Sequence, residues 1–188
     1  GDTLDNMVNK YWICRYRAAF VRRLSEYAAP IQREFSGGRE ELALHYKTVS
    51  TVEDPLAEEA EIYEQISRRM RELRSAELES GSCLVGIHKD DMDITLNGLS
   101  AKSYASQGQT RTAALSMKLA ERELFRADTG EQPVLLLDDV LSELDAARQE
   151  FVLNRIREGQ ILITCCDEGS TRRLTGGRLL RIAEGSVL

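Results

Sequence analysis

Apolar residues recur in steps of three and four near the start of the chain, where Met7, Tyr11, Cys14, Ala18, Val21, Leu24, Ala28 and Ile31 fall on one stripe. The spacing predicts a helix from about Leu4 to Tyr27 or beyond, with a break or kink at Pro30, because a proline disfavours helical backbone at the preceding Ala29. Phe35-Ser36-Gly37-Gly38 is a turn signal, and Glu41 to Tyr46 alternates polar with apolar, which predicts a strand. Asp54-Pro55 reads as the N-cap and first position of a second helix, with a stripe of Leu56, Ala60, Tyr63, Ile66, Met70 and Leu73. Such a helix of about 23 residues is a rod of roughly 35 Å. Two rods, each with one narrow apolar face, satisfy those faces by packing antiparallel, so a helical arm projecting from a sheet domain is expected.

From Ser82 the texture changes. Met92, Ile94 and Leu96 alternate with Asp93, Thr95 and Asn97, and Asn97-Gly98 is a strong hairpin signal. Ala113, Met117, Ala120 and Leu124 predict a helix that ends near Thr129-Gly130. Val134 to Leu137 and Ile161 to Thr164 are continuous apolar runs of strand length, with a helix of about Ala146 to Glu158 between them. Strand, helix, strand with uniformly apolar strands is the pattern of a parallel sheet buried on both faces. The chain therefore divides into a first arm helix (1–35), a strand returning to the sheet domain (36–53), a second arm helix (54–81) and a lobe (82–188).

Composition narrows the class. The 188 residues include 3 Pro and 13 Gly, and no apolar run approaches the length of a membrane span, which argues against long disorder and an integral membrane protein. The start shows no basic-then-apolar leader. The four cysteines, Cys14, Cys83, Cys165 and Cys166, lack metal-ligand spacing, and the adjacent pair cannot bridge without strain, so free thiols in a reducing cytoplasm are expected. His45 and His88 likewise have no partner at ligand spacing. The net charge is −6, so a polyanion would have to be held by a local basic patch. Residues 10–34 supply one, with a local charge of +4 that includes Arg15, Arg17, Arg22 and Arg23. The second helix has Arg68, Arg69, Arg71 and Arg74, but Glu64, Glu72 and Glu77 lie within a turn of several of them, as on an ordinary solvated face.

Two strings carry chemistry. A buried strand ending in Asp138-Asp139 delivers two carboxylates to the carboxyl edge of a parallel sheet, where ligands of open α/β folds bind. In a nucleoside-triphosphate site the first acid can anchor Mg²⁺ and the second can orient or deprotonate the attacking water. The bland alternative is that such a pair merely caps the following helix. The second string, Ser106-Gln107-Gly108-Gln109, heads a helix: Gly108 permits close backbone approach, first-turn amides favour an anion, and the Ser106 hydroxyl can donate to phosphate oxygen.

In order and wording, SQGQ at a helix start, then LLLDD, then SELD resembles the signature, Walker B and D-loop series of the SMC-like group of ABC-type ATPases. Within that group the run from about Val85 to Gln149 is similar to the bacterial recombination mediators. The resemblance implies an α/β fold: the C-terminal lobe of an ABC-type ATPase head with a mostly parallel sheet, plus a helical arm of two antiparallel helices. It further implies that Ser106, Gly108 and Gln109 contact ATP bound to the other subunit of a head-to-head dimer. Asp138 would serve Mg²⁺, Asp139 would be the catalytic acid, and Asp145 would be the D-loop aspartate that crosses the interface. The switch position, often His in ABC ATPases, falls on Cys165 or Cys166, and a thiol is a poor sensor of a γ-phosphate. DNA, a second copy held by ATP, and the mediator proteins RecR and RecO are the implied partners. Arg15, Arg17, Arg22 and Arg23 are the candidate DNA contacts, while Tyr11 and Trp12 are expected to be packing residues rather than base-stacking ones.

No phosphate-loop motif GxxxxGK[ST] occurs in the sequence. Without its lysine the β- and γ-phosphates lose their main cradle, so the chain is expected to be part of a longer ATPase and not to turn over ATP by itself. Competing readings are a non-catalytic protein-interaction module, the head of another SMC-like ATPase, and a metal-dependent nuclease built on Asp90, Asp91, Asp138 and Asp139.

Overall fold

The computed structural model describes residues 4–48, 52–156, 158–166 and 177–187, with residues 4–11 as backbone only. It is an α/β fold of two compact units, Gly1–Leu124 and Phe125–Leu188.

The first unit opens with α1 (Leu4–Phe35), which runs on through Pro30 instead of breaking there. Proline deprives the Glu26 carbonyl of its helical donor. Glu26 and Pro30 are both exposed, so the missing bond falls on the solvent side of the helix, while buried Ile31, Gln32 and Phe35 pin the last turn. The predicted stripe is the buried face: Cys14, Ala18, Val21, Leu24, Ala28 and Ile31 are all in the core. The side chains of Met7 and Tyr11 lie outside the described residues. Trp12, expected to pack, is 58% exposed, because it sits off that stripe.

α1 lies against β1 (Leu42–Lys47), the first strand of an antiparallel sheet completed by β2 (Asp91–Leu96) and β3 (Leu99–Ser100). Ser25 on α1 accepts a hydrogen bond from the Leu44 amide at 2.9 Å, which occupies a donor on the sheet edge. The β2–β3 turn is the predicted Asn-Gly, with φ of 52° at Asn97 and 77° at Gly98, as a two-residue hairpin requires. Asn97 also reaches back to the approach of β1, accepting from the Glu41 amide at 2.7 Å and donating to the Arg39 carbonyl at 3.2 Å.

The second helix begins later than its sequence signal. Asp54 accepts from the Leu56 amide at 2.8 Å and closes an isolated turn, and α2 spans Glu59–Ser80. Its buried face is Ile62, Ile66 and Ser67, with Tyr63 exposed; Ile62 and Ile66 cluster with Val52 and Val85, and Ala57, Met70 and Leu73 pack against the group. The segments flanking the helix thus cover part of its apolar face. α3 (Ala101–Tyr104) is one turn long, and α4 (Gln107–Thr129) buries Thr112, Ala113, Leu115, Ser116, Leu119 and Ala120.

In the second unit β4 (Leu135–Asp138) and β5 (Ile161–Thr164) pair in parallel, with α5 (Ala146–Arg155) in the connection. β6 (Ile182–Ala183) and β7 (Ser186–Val187) form a separate antiparallel ribbon. The expectation of a sheet buried on both faces is corrected here. Leu135 and Leu137 are buried, whereas Leu136 and its register partner Leu162 are 67% and 51% exposed. One connecting helix can shield one face of a two-stranded pair, not both. Among the described residues no helix is long and apolar enough to cross a membrane.

Candidate functional site

The helix-heading turn is built from a reciprocal cap. The Ser106 hydroxyl accepts from the Gln109 amide at 3.3 Å, and the Gln109 side-chain oxygen accepts from the Ser106 amide at 2.9 Å. This is the capping box, which satisfies two otherwise orphaned donors at once. Ser106 is exposed and its hydroxyl hydrogen is not consumed by that cap, so it can still donate. The amides of Gln107 and Gly108 lead the helix, where the dipole favours an anion. The Gly108 carbonyl accepts from the Thr112 hydroxyl at 2.6 Å.

The acids lie where the sheet argument put them. Asp138 is the last residue of β4, exposed, and paired in register with Thr164 at the end of β5. Its carboxylate accepts from the Thr164 hydroxyl. Asp139 has left-handed backbone, φ 50°, a conformation that costs a non-glycine residue roughly 1 kcal/mol. Three bonds hold it there. Its amide donates to the Thr164 carbonyl at 3.2 Å and to the Thr164 hydroxyl at 3.0 Å, and its carbonyl accepts from the Ser142 hydroxyl at 2.8 Å. The turn that follows is fixed by the buried amide of Gln149, which donates to the carbonyls of Leu141 at 2.7 Å and Leu144 at 3.0 Å. Asp145 caps α5, accepting from the Arg148 amide at 2.9 Å. Helix capping therefore belongs to Asp145, and Asp138-Asp139 stand one turn earlier.

Sequence reasoning missed Thr164, Gln149 and Glu40, which support these groups. Thr164 and Glu40 are bonded across long stretches of sequence and Gln149 to the turn just before its own helix, and no motif or periodicity marks such a partner. Cys165 follows β5 and is partly buried, while Cys166 is exposed. Among the described residues no group of three or more potential metal ligands from His, Cys, Asp and Glu stands together.

On α1, Arg22 and Arg17 are exposed, and Arg15 and Arg23 partly so. Arg17 donates to the Ile87 carbonyl at 2.9 Å, which gives it a structural task within its own unit. Tyr16 is 75% exposed beside these arginines and close to exposed Trp12. On α2 Arg68 pairs with Glu64 at 3.4 Å and Arg69 with Glu72 at 3.1 Å, the pattern of a solvated face.

No protein-family model matches the chain. It is similar to the DNA replication and repair protein RecF of Lysinibacillus sphaericus, 45% identical over 153 residues, which covers 81% of this chain and 41% of that protein. RecF of Symbiobacterium thermophilum is 44% identical over 176 residues, covering 92% and 47%. Among solved structures it resembles the recombination mediator protein RecF with ATP, of the RecFOR pathway, at a TM-score of 0.83 and 33% identity over 97% of this chain and 48% of that one. The chain thus spans less than half the length of these relatives.

Proposed function

Because the chain belongs to the RecF family and matches the C-terminal part of its members, we propose that it supplies the signature and acidic elements of an ATP-gated, DNA-binding protein of replication and recombinational repair. The observation that carries this reading is the exposed acid pair at the carboxyl edge of parallel β4 and β5, with Asp139 held in a strained backbone conformation. Backbone strain held by three bonds beside a ligand edge is expected of a functional position.

In this reading ATP is sandwiched between a phosphate loop of one subunit and the Ser106 turn of another. Ser106 donates its hydroxyl hydrogen to a γ-phosphate oxygen, and Gly108 lets the backbone come close. Asp138 suits Mg²⁺, since it offers hard carboxylate oxygens at an exposed edge and Thr164 orients one of them. Mg²⁺ supplies charge neutralisation on the phosphates. Asp139 orients the attacking water and takes its proton, Asp145 faces the second copy, and Cys165 stands at the switch position. The chain lacks the phosphate loop, so turnover requires a lobe that carries one. In the protein joining the two, Asp139→Asn should leave ATP-dependent dimerisation intact and slow single-turnover hydrolysis about 10²–10⁴-fold. Hydrolysis at the unaltered rate would overturn the assignment.

DNA is read by α1, where Arg15, Arg22 and Arg23 offer phosphate contacts, Arg17 a secondary one, and exposed Trp12 and Tyr16 offer stacking faces. Arg22→Glu with Arg23→Glu is expected to weaken DNA binding and flatten its dependence on salt by about two counterions, read from binding isotherms at several salt concentrations. RecR and RecO are the protein partners this reading carries, in the cytoplasm.

A further inference from the structure

The helix-heading turn is tied to α1 by a chain of polar contacts inside the first unit. Gln32 on α1 is fully buried. Its side-chain oxygen accepts from the Ser116 hydroxyl on α4 at 2.8 Å, and its amide donates to one carboxylate oxygen of Glu40 at 2.6 Å. The other Glu40 oxygen accepts from the Gln109 amide at 3.0 Å. Glu40 is itself fixed through its backbone amide, which donates to the Ser36 hydroxyl at 3.0 Å. Gln109 then completes the series by accepting from the Ser106 amide.

The direction of every bond is set. A carboxylate accepts only, so Gln109 must turn its nitrogen toward Glu40, and this leaves its oxygen for Ser106. Were the Gln109 amide reversed, its nitrogen would face the Ser106 N–H and its oxygen would face a carboxylate, which is two repulsive contacts for two attractive ones. One acidic side chain outside the SQGQ string thus selects the amide orientation that closes the capping box.

We propose that Glu40 is a positioning residue for the nucleotide-facing turn, and that Gln109 acts through this relay, holding Ser106 in place and leaving phosphate contact to the Ser106 hydroxyl and the leading amides. The oxygen and one N–H of the Gln109 carboxamide are engaged within the subunit, which fixes the plane of the group against its own helix start, whereas the Ser106 hydroxyl hydrogen is left to turn toward a ligand. The assignment rests on the proposed role of this turn, and it separates the string into a residue that touches ligand and one that aligns it.

Three variants test it: Glu40→Ala, Gln109→Ala and the two combined. Amide hydrogen exchange at Ser106 in the 188-residue chain should quicken up to about tenfold in each single variant, the size expected for loss of one hydrogen bond, and no further in the double. In the protein joined to its phosphate-loop lobe, Glu40→Ala should raise the ATP concentration for half-maximal dimerisation about tenfold while kcat at saturation holds. Glu40→Gln should behave within about twofold of the parent, because Gln32 can reverse its amide against the rotatable Ser116 hydroxyl and leave an acceptor for Gln109. Unchanged exchange at Ser106 in Glu40→Ala, additive effects in the double variant, or a Glu40→Gln as damaged as Glu40→Ala would overturn the relay. Faster exchange with unaltered ATP-dependent dimerisation in Glu40→Ala would overturn its nucleotide-positioning role; the reading of the turn as a nucleotide contact falls separately, if Ser106→Ala also leaves that dimerisation unaltered.

Discussion

Cys14 shows how one buried group makes the fold sensitive to alkali. It lies on the core face of α1 at 1% exposure, and burial, with Asp90 nearby, pushes its thiol from 9.0 up to about 11. Tyr46 moves the same way, chiefly through burial and then through its hydrogen bond to Asp90. Both groups are held neutral in the folded chain and ionise more readily when it unfolds. Their stabilising contribution is therefore complete below about pH 9, the ordinary value of the thiol, and falls as pH rises toward and past about 11. Urea midpoints measured from pH 7 to 11 should be flat to about pH 9 and then decline, and Cys14→Ala should shallow the first part of that decline. Cys14 should also resist alkylation in the native chain, while exposed Cys83 and Cys166 react.

At the scale of elements, α2 separates what periodicity reveals from what packing decides. Ile62 is fully buried and Tyr63 is 37% exposed, although the stripe drawn from sequence ran through Tyr63. Ile62→Ala is expected to cost about 2–5 kcal/mol and Tyr63→Ala far less, measured by chemical denaturation. Asp54-Pro55 carries the wording of a helix start, but Asp54 spends its side chain on a local turn at Leu56 and the helix begins at Glu59, which removes Leu56 from the stripe. Within α2, Ile62 and Tyr63 both lie one turn before Ile66, and spacing by itself does not say which of them meets the core. α1 was legible because its apolar spacing is unbroken over many turns, and Asn97-Gly98 because a hairpin turn demands positive φ. The acid pair and the Ser106 turn were legible as chemistry at element ends. Their supports were not, since Glu40 and Gln109 are 69 positions apart and Asp139 and Thr164 are 25 apart. Such contacts exist only once the chain has folded.

At the scale of the whole molecule, the bare side of the β4–β5 pair stands out. Leu136 and Leu162 are each more than half exposed on short strands whose other side carries buried Leu135 and Leu137 and half-buried Ile161 and Ile163, and Val134 just before β4 is exposed with them, the kind of apolar surface that drives association. Leu136→Lys with Leu162→Glu should shift the isolated chain toward monomer in sedimentation at tens of micromolar while preserving its circular dichroism; an unchanged association state would show that another surface is responsible. The same strands end in the acids. Thr164 gives its hydroxyl hydrogen to Asp138 and takes the amide of Asp139, so its one oxygen ties both aspartates to the end of β5. Any neighbour that settled on the uncovered leucines and altered the twist of β5 would carry the Asp138 carboxylate and the Asp139 backbone along with Thr164, and a surface that looks like a solubility problem would act as a steering input to the strand tips.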